Sequence, residues 1–352
     1  MTKASEAADA YPGEKRNLNL TSYNTLGVDA TASRFIEIKE NSELKTLANS
    51  GFFSRTKPCI LGGGSNILFR GDVRVPVLRI SIPGIQTIAD TDSNVLVKAG
   101  AGVVWHDLVT WCVERDYGGI ENLALIPGTC GAAPIQNIGA YGVELDQVFE
   151  SLELFNLQTE RFETFTHEKC MFGYRDSIFK RDLKGRVIVT SITLKLNKPP
   201  HDVNTSYYAL ENYLNQQEIT SPGINDLYHA VIAIRKSKLP DPSLIGNAGS
   251  FFKNPVISKG QFNKLKENNP GVPSFPAGEG KIKVPAGWLI EQAGWKGKKV
   301  GNVGTYDNQA LVIVNHGNAT GAEIYNHAMN IRESVRDMFG IELTPEVNIV
   351  GG

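Results

Sequence analysis

Residues 125–142 read LIPGTCGAAPIQNIGAYG, a stretch with no charged side chain in which Gly, Ala and Pro make up half of the positions. Gly128, Gly131, Gly139 and Gly142 can take positive φ and carry no Cβ, so a flat or extended molecule can lie directly against their backbone amides. A large cofactor resting on main chain is the natural expectation for such a segment, and a tight, buried structural loop is the alternative. Upstream, Pro58 to Leu61 reads as a short buried strand, Gly62-Gly63-Gly64-Ser65-Asn66 follows, and Ile67-Leu68-Phe69 is apolar again. Successive amides in a glycine turn converge on an anion, with Ser65 and Asn66 as further donors, which points to a diphosphate. A glycine-rich hairpin is the competing reading. No Lys-Ser or Lys-Thr follows the glycines as a P-loop requires, and Ile67 stands at the last glycine position of the dinucleotide fingerprint.

Outward from these loops, the chain of 352 residues is long enough for two or three domains, each with its own core. A formal net charge of -1 excludes the basic footprint of a nucleic-acid binder. Cys59, Cys112, Cys130 and Cys170 have no paired spacing, so neither a zinc site nor a disulfide framework is expected, and a reducing compartment fits. The first residues, MTKASEAADAYPGEKRNLNL, lack the apolar core of a signal peptide, and no apolar run has membrane-span length. The expectation is a cytoplasmic protein with a loose N-terminal tail and no metal.

Phe35 to Ile38 alternates as a strand, and Ser42 begins a short helix through Ala48, a small βαβ opening. Strand signals then dominate at 77–80, 95–99, 152–155 and 186–196, interrupted by a helix with Trp105, Leu108, Val109 and Cys112 on one side. Residues 202–217 are polar and tyrosine-rich, as an inserted loop or short helix would be, and 228–234 reads as helix. After Pro240-Asp241-Pro242 a smaller α/β unit begins. There Pro285 suits the first turn of a helix through Ala293 with Gly294 as its stop, and 311–314 is a buried strand. Ile324, Ala328, Ile331, Val335 and Met338 mark a last helix closed by Gly340, before a strand over 341–350.

Three constellations can carry chemistry. Gly173-Tyr174-Arg175-Asp176-Ser177 places an arginine able to clamp a carboxylate, with a surface ion pair as the plain alternative. In Gly246-Asn247-Ala248-Gly249-Ser250-Phe251-Phe252-Lys253-Asn254-Pro255 a serine sits between a small turn and two aromatics, suited to a water-poor pocket. Ser250 and Lys253 also match the S-x-x-K spacing of serine acylases, but the S-D-N and K-T-G partners of that class are missing. His167-Glu168 lacks the second histidine of a zinc-protease helix. Thr344-Pro345-Glu346-Val347 puts a carboxylate after a proline that denies a ladder hydrogen bond.

Together these motifs closely resemble the UDP-N-acetylenolpyruvoylglucosamine reductase family, the flavoenzymes of bacterial peptidoglycan synthesis. The resemblance rests on Tyr23 to Gly27, Gly62 to Asn66, Glu121 to Gly142, Gly173 to Phe179, Lys238 to Pro242, Gly246 to Pro255, Ala286 to Ile290 and Pro345 to Val347, in that order. It implies an α+β protein: a two-domain FAD-binding fold of the vanillyl-alcohol-oxidase (PCMH) type plus a C-terminal α/β substrate-binding domain. The implied division is a flexible tail at 1–16, a first FAD-binding subdomain at 17–72 joined by the terminal strand 341–352, a second at 73–237 with a tyrosine-loop insertion near 200–217, and the substrate-binding domain at 238–340.

The resemblance further implies non-covalent FAD held by Gly62, Gly63, Gly64, Ser65, Asn66, Ile126, Pro127, Gly128, Gly139, Ala140, Tyr141 and Gly142. It implies catalytic positions at Arg175, Ser250 and Glu346, and substrate contacts from Tyr207, Arg235, Lys238, Asn254 and Gln309. The implied reaction passes hydride from NADPH to FAD and then to the enolpyruvyl methylene of UDP-N-acetylglucosamine enolpyruvate, a step in peptidoglycan synthesis and so in cell shape and division. In that scheme Arg175 and Glu346 stabilise the enolate and Ser250 protonates the carbon. The implied partner is a small-molecule substrate, with no nucleic acid, membrane or obligate protein partner. Two positions depart from the family pattern: the nest is three consecutive glycines, and Asn348 stands where many relatives carry arginine.

Overall fold

The structure, a computed structural model, describes residues 11–351, so the expected N-terminal tail lies outside the described residues except for 11–16. The described residues divide into two compact units: residues 11–18, 32–63 and 74–236 form the first, and 19–31, 64–73 and 237–351 the second.

Among the described residues, the first unit carries a four-stranded sheet in the order Lys15–Asn19, Thr31–Ile38, Val77–Ile80, Cys59–Leu61. The last three run parallel, as the βαβ reading requires. The helix between them covers Asn41–Asn49, capped by Glu40 and Glu43 in a reciprocal box. It therefore starts earlier than the Ser42 expected, because a carboxylate does the capping. Leu44 and Leu47 pack with Ile36, Ile38, Phe52 and Phe53.

A five-stranded antiparallel sheet completes this unit among the described residues, in the order Arg161–Thr166, Phe149–Asn156, Val187–Asn197, Asn94–Gly100, Ile85–Asp90. Its middle strand is buried almost throughout, because both faces are covered. Ile188 and Phe155 face the βαβ layer, while Ile192, Leu194 and Leu196 face the helix Trp105–Val113 and the helix Ile224–Lys238. Trp105, Leu108, Val109 and Cys112 are buried as the periodicity predicts, each large apolar side chain contributing roughly 1.5–3 kcal/mol. The tyrosine-rich insertion forms a short helix, Tyr208–Gln216, anchored by Leu210 and Leu214.

In the second unit, a four-stranded sheet orders as Gly246–Ser250, Val312–Asn315, Val303–Thr305, Lys299–Val300, all antiparallel. The helix Gly321–Phe339 packs on them, begun by a Thr320–Glu323 capping box and ended by Gly340 at φ 65°. Met338, counted on its apolar face, is exposed. Pro285 is the N-cap of the helix Ala286–Gln292 rather than its first helical residue. The strand expected over 341–350 pairs only at Asn348–Val350, which runs parallel to Ile67–Phe69. Ile341, Leu343 and Val347 alternate inward without a ladder partner for most of that length.

Candidate flavin and substrate site

The strands flanking the glycine nest do not form a hairpin. Cys59–Leu61 pairs in parallel with Val77–Ile80 and Ile67–Phe69 pairs in parallel with Asn348–Val350, so the nest is a crossing between sheets. Gly62 and Gly63 belong to the first unit, and Gly64, Ser65 and Asn66 to the second. A Cβ on Gly63 would lie 3.2 Å from Gly128 Cα, and one on Gly62 would lie 2.7 Å from Thr129 Oγ1. That hydroxyl is buried without a hydrogen-bond partner. An unpaired buried donor beside a glycine ridge marks a place built for a polar ligand group, so these residues fit the phosphates of FAD. Gly64, at φ 67°, would collide with Tyr23 O if it carried a Cβ. Thr129 was absent from the sequence reading, although it lies inside the quoted loop.

The quoted loop is tied down at both ends. Trp105 N–H donates to Gly128 O at 3.0 Å, and the Cys130 and Gly131 amides donate to Val103 and Ala101 carbonyls. Pro127 is exposed, while Ile126, Gly128, Gly139, Ala140 and Tyr141 are half-buried and Gly142 is exposed. Leu125, Asn137 and Tyr141 hold positive φ without being glycine, which requires surrounding bonds to fix them. Asn122 supplies one, donating to the Tyr141 and Asn204 carbonyls.

Arg175, also at positive φ, reaches into this loop. Its guanidinium donates to Asn137 O at 3.4 Å and closely to Gly139 O, and lies 3.6 Å from Glu144 Oε1. Asn137, fully buried, donates in turn to Glu144 Oε2 at 3.1 Å and to Gly173 O at 3.2 Å. Gly139 is required here, since its Cβ would stand 2.6 Å from Arg175 Nη1. The fork is thus held by Asn137, Glu144 and Gly139, of which sequence reading marked only the glycine.

Arg235, on the helix Ile224–Lys238, is sunk beside Tyr141. Burial lowers its pKa and Tyr141 opposes that shift, while burial raises the Tyr141 hydroxyl. Its Nε is buried without a partner. Tyr207 packs edge-on against Tyr141 at 5.3 Å, whereas the neighbouring Tyr208 is 79% exposed. In the first unit, then, Arg175, Arg235, Tyr141 and Tyr207 gather around one loop.

In the second unit, Ser250 ends the strand Gly246–Ser250 and is exposed, with Phe251 and Phe252 buried directly after it. The aromatics anchor the turn instead of walling off the serine. Glu346 N–H donates to Phe251 O at 2.8 Å, Lys253 N–H donates to Thr344 O at 3.0 Å, and Phe252 bridges Pro345. Ser250 and Glu346 therefore sit on adjacent, paired segments. Asn66 Nδ2 reaches Glu346 O at 3.4 Å, and Asn348 donates from main chain and side chain to Asn66 O, both at 3.1 Å. Asn348 thus braces the nest. Asn254 Oδ1 caps the helix at Ala286 N–H, at 2.9 Å, and Gln309 Oε1 accepts from Leu311 N–H at 3.3 Å. Lys238 is exposed, as are His167 and Glu168. Among the described residues no cluster of His, Cys, Asp and Glu could hold a metal ion, and no helix is long and apolar enough to cross a membrane.

A description of FAD-binding domains matches residues 34–163, and one of the C-terminal domain of UDP-N-acetylenolpyruvoylglucosamine reductase matches residues 241–350. The chain is an FAD-binding oxidoreductase. The UDP-N-acetylenolpyruvoylglucosamine reductase of Flavobacterium johnsoniae is 46% identical over 334 residues, covering 95% of this chain and 98% of that protein. That of Pseudomonas aeruginosa is 41% identical over 335 residues, again 95% and 98%. The crystal structure of UDP-N-acetylenolpyruvylglucosamine reductase from Thermus caldophilus matches with a TM-score of 0.67 and 24% identity, over 95% of this chain and 97% of that one, a likeness of fold. This chain belongs to the UDP-N-acetylenolpyruvoylglucosamine reductase family.

Proposed function

We propose that the protein reduces UDP-N-acetylglucosamine enolpyruvate to UDP-N-acetylmuramate with NADPH as the electron source, in the cytoplasm and without an obligate protein partner. When bound, FAD supplies the hydride chemistry, accepting hydride from NADPH and delivering it to the enolpyruvyl methylene. Hydride addition there leaves negative charge on the adjacent carbon, delocalised into the carboxylate. Arg175 presents a positive, oriented fork to that carboxylate, and Glu346 donates a second hydrogen bond from its carboxyl group. Ser250 then gives its proton to the carbon; a neutral hydroxyl suffices because an enolate carbon is a strong base. Arg235, Lys238, Asn254 and Gln309 hold the sugar nucleotide, and Tyr207 closes over its uridine diphosphate. In this reading residues 17–72 with the terminal strand, and 73–237, serve the flavin, and 238–340 serve the substrate.

The observation that carries the reading is the pairing of the Ser250–Lys253 segment with Thr344–Glu346, which fixes a hydroxyl and a carboxyl on neighbouring segments of a chain of this family. The test separates the two half-reactions. Ser250→Ala should leave anaerobic reduction of the flavin by NADPH nearly unchanged and slow its reoxidation by the enolpyruvyl substrate at least ~10²-fold, the loss expected for a missing general acid. Equal slowing of both halves would remove Ser250 from the proton-donor role.

A further inference from the structure

The helix Trp105–Val113 begins beside the chain that leads into the flavin loop, and its first two side chains both grip that chain. Trp105 Nε1 donates to Leu123 O at 3.0 Å. His106 Nδ1 accepts the Leu125 N–H at 3.1 Å. Leu125 is in the left-handed region, at φ 56°, a conformation that a leucine keeps only where its surroundings impose it. An accepting Nδ1 must be unprotonated, so the ring hydrogen resides on Nε2.

The ring itself is fixed. It stacks on Tyr228 with centroids 5.8 Å apart and planes within 16°, and the Tyr228 hydroxyl shares a 2.8 Å hydrogen bond with Thr110, one turn further along the histidine's own helix. His229 packs edge-on behind Tyr228 at 5.1 Å. The titratable and charged groups facing this arrangement are Asp107 on its own helix and Tyr228, His229, Arg235 and Lys236 on the helix Ile224–Lys238.

We propose that His106 is a positioning residue for the flavin: neutral, it holds Leu125 in the conformation that sets Ile126 to Gly128 against the cofactor, and protonation of Nδ1 releases that hold. This rests on reading 125–142 as the flavin-contacting loop. Burial lowers the His106 pKa and Lys236 and Arg235 lower it further, while Asp107 opposes them. The sign follows: the folded loop binds the proton less well than a free imidazole does. The hold is therefore complete above the ordinary histidine pKa, about 6.5, and is lost as pH falls through the lower value that the folded loop gives the ring.

The test is the dissociation constant of FAD, followed by quenching of its fluorescence on the full chain from pH 7.5 to 5.5. His106→Asn places an amide oxygen where Nδ1 stood and cannot titrate, whereas His106→Phe keeps the stack on Tyr228 and has no acceptor. At pH 7.5 His106→Asn should bind within about threefold of the wild type and His106→Phe about tenfold more weakly, the loss of one hydrogen bond. The wild-type constant should rise by at least about twofold at the acid end of that range, and that of His106→Asn should rise clearly less. Equal pH dependence in wild type and His106→Asn, or unchanged affinity in a folded His106→Phe, overturns the proposal. Should His106→Phe fail to fold, the comparison with His106→Asn still decides it. A wild-type chain that binds no FAD at any pH overturns the flavin reading itself, a result distinguishable from both.

Discussion

At the scale of single residues, the site depends on side chains that orient other side chains. Arg175 can clamp a carboxylate only if its guanidinium points in one direction, and Glu144 and Asn137 give it that direction. Glu144→Gln keeps the shape and removes the charge, which for a partly exposed pair corresponds to about 1 kcal/mol of orientation. The expected outcome is flavin reoxidation by the enolpyruvyl substrate slowed about fivefold, with reduction by NADPH within twofold of wild type, measured by stopped-flow at 450 nm (about the flavin absorbance maximum). An unchanged second half-reaction would show that Arg175 needs no help from Glu144. The glycines of the nest and loop were legible in the sequence because a backbone-lined site demands missing Cβ atoms. Asn137, Glu144 and His106 were not, because each acts through a bond to a residue whose nearness only the fold creates, 36 positions apart between Asn137 and Gly173.

Among secondary-structure elements, long periodic segments were legible and their ends were not. The helix Gly321–Phe339 and the buried strand Val187–Asn197 stand nearly where apolar spacing puts them. A strand is expected over 341–350, yet the inward pointing of Ile341, Leu343 and Val347 requires only core to fill, and Pro345 cannot sustain a ladder there. The helix Ile224–Lys238 extends four residues before the expected start because its polar first turn hides the buried Ile224 and Leu227. On the helix Gly321–Phe339, His327 is buried against the edge of Trp295 at 5.1 Å and bonded to Thr305 at 3.1 Å. Burial first, then Lys298, pushes its pKa down to about 4. A histidine with a lowered folded pKa contributes fully above about pH 6.5 and costs stability as pH falls toward 4, on the order of 2 kcal/mol once edge solvation is allowed for. Thermal midpoints of the wild type should fall more steeply between pH 6.5 and 4 than those of His327→Gln; parallel slopes would assign the acid sensitivity elsewhere.

For the whole molecule, the residues proposed to carry the chemistry divide between the two units. The first unit holds the Arg175 guanidinium, the half-buried Arg235 beside Tyr141, and the loop 125–142; the second holds Ser250, Glu346 and three amide or amine side chains proposed to contact substrate. Mixed α and β content was legible from the alternation of strand and helix signals, and the last segment of the second unit begins at Ser237, three residues before Pro240-Asp241-Pro242. The assignment of 19–31 and 64–73 to the second unit was not, since nothing local in those segments announces a partner nearly three hundred residues away; Asn348 bonding Asn66 O, 282 positions apart, is such a link. The central claim is that one chain takes hydride from NADPH onto bound flavin and passes it to an enolpyruvyl sugar nucleotide. The direct measurement is an anaerobic visible spectrum of the purified protein, reduced with one equivalent of NADPH and then mixed with UDP-N-acetylglucosamine enolpyruvate. Bleaching of the yellow flavin followed by full return of colour on adding the sugar nucleotide is the predicted result; a flavin that bleaches and stays colourless would contradict the proposed substrate.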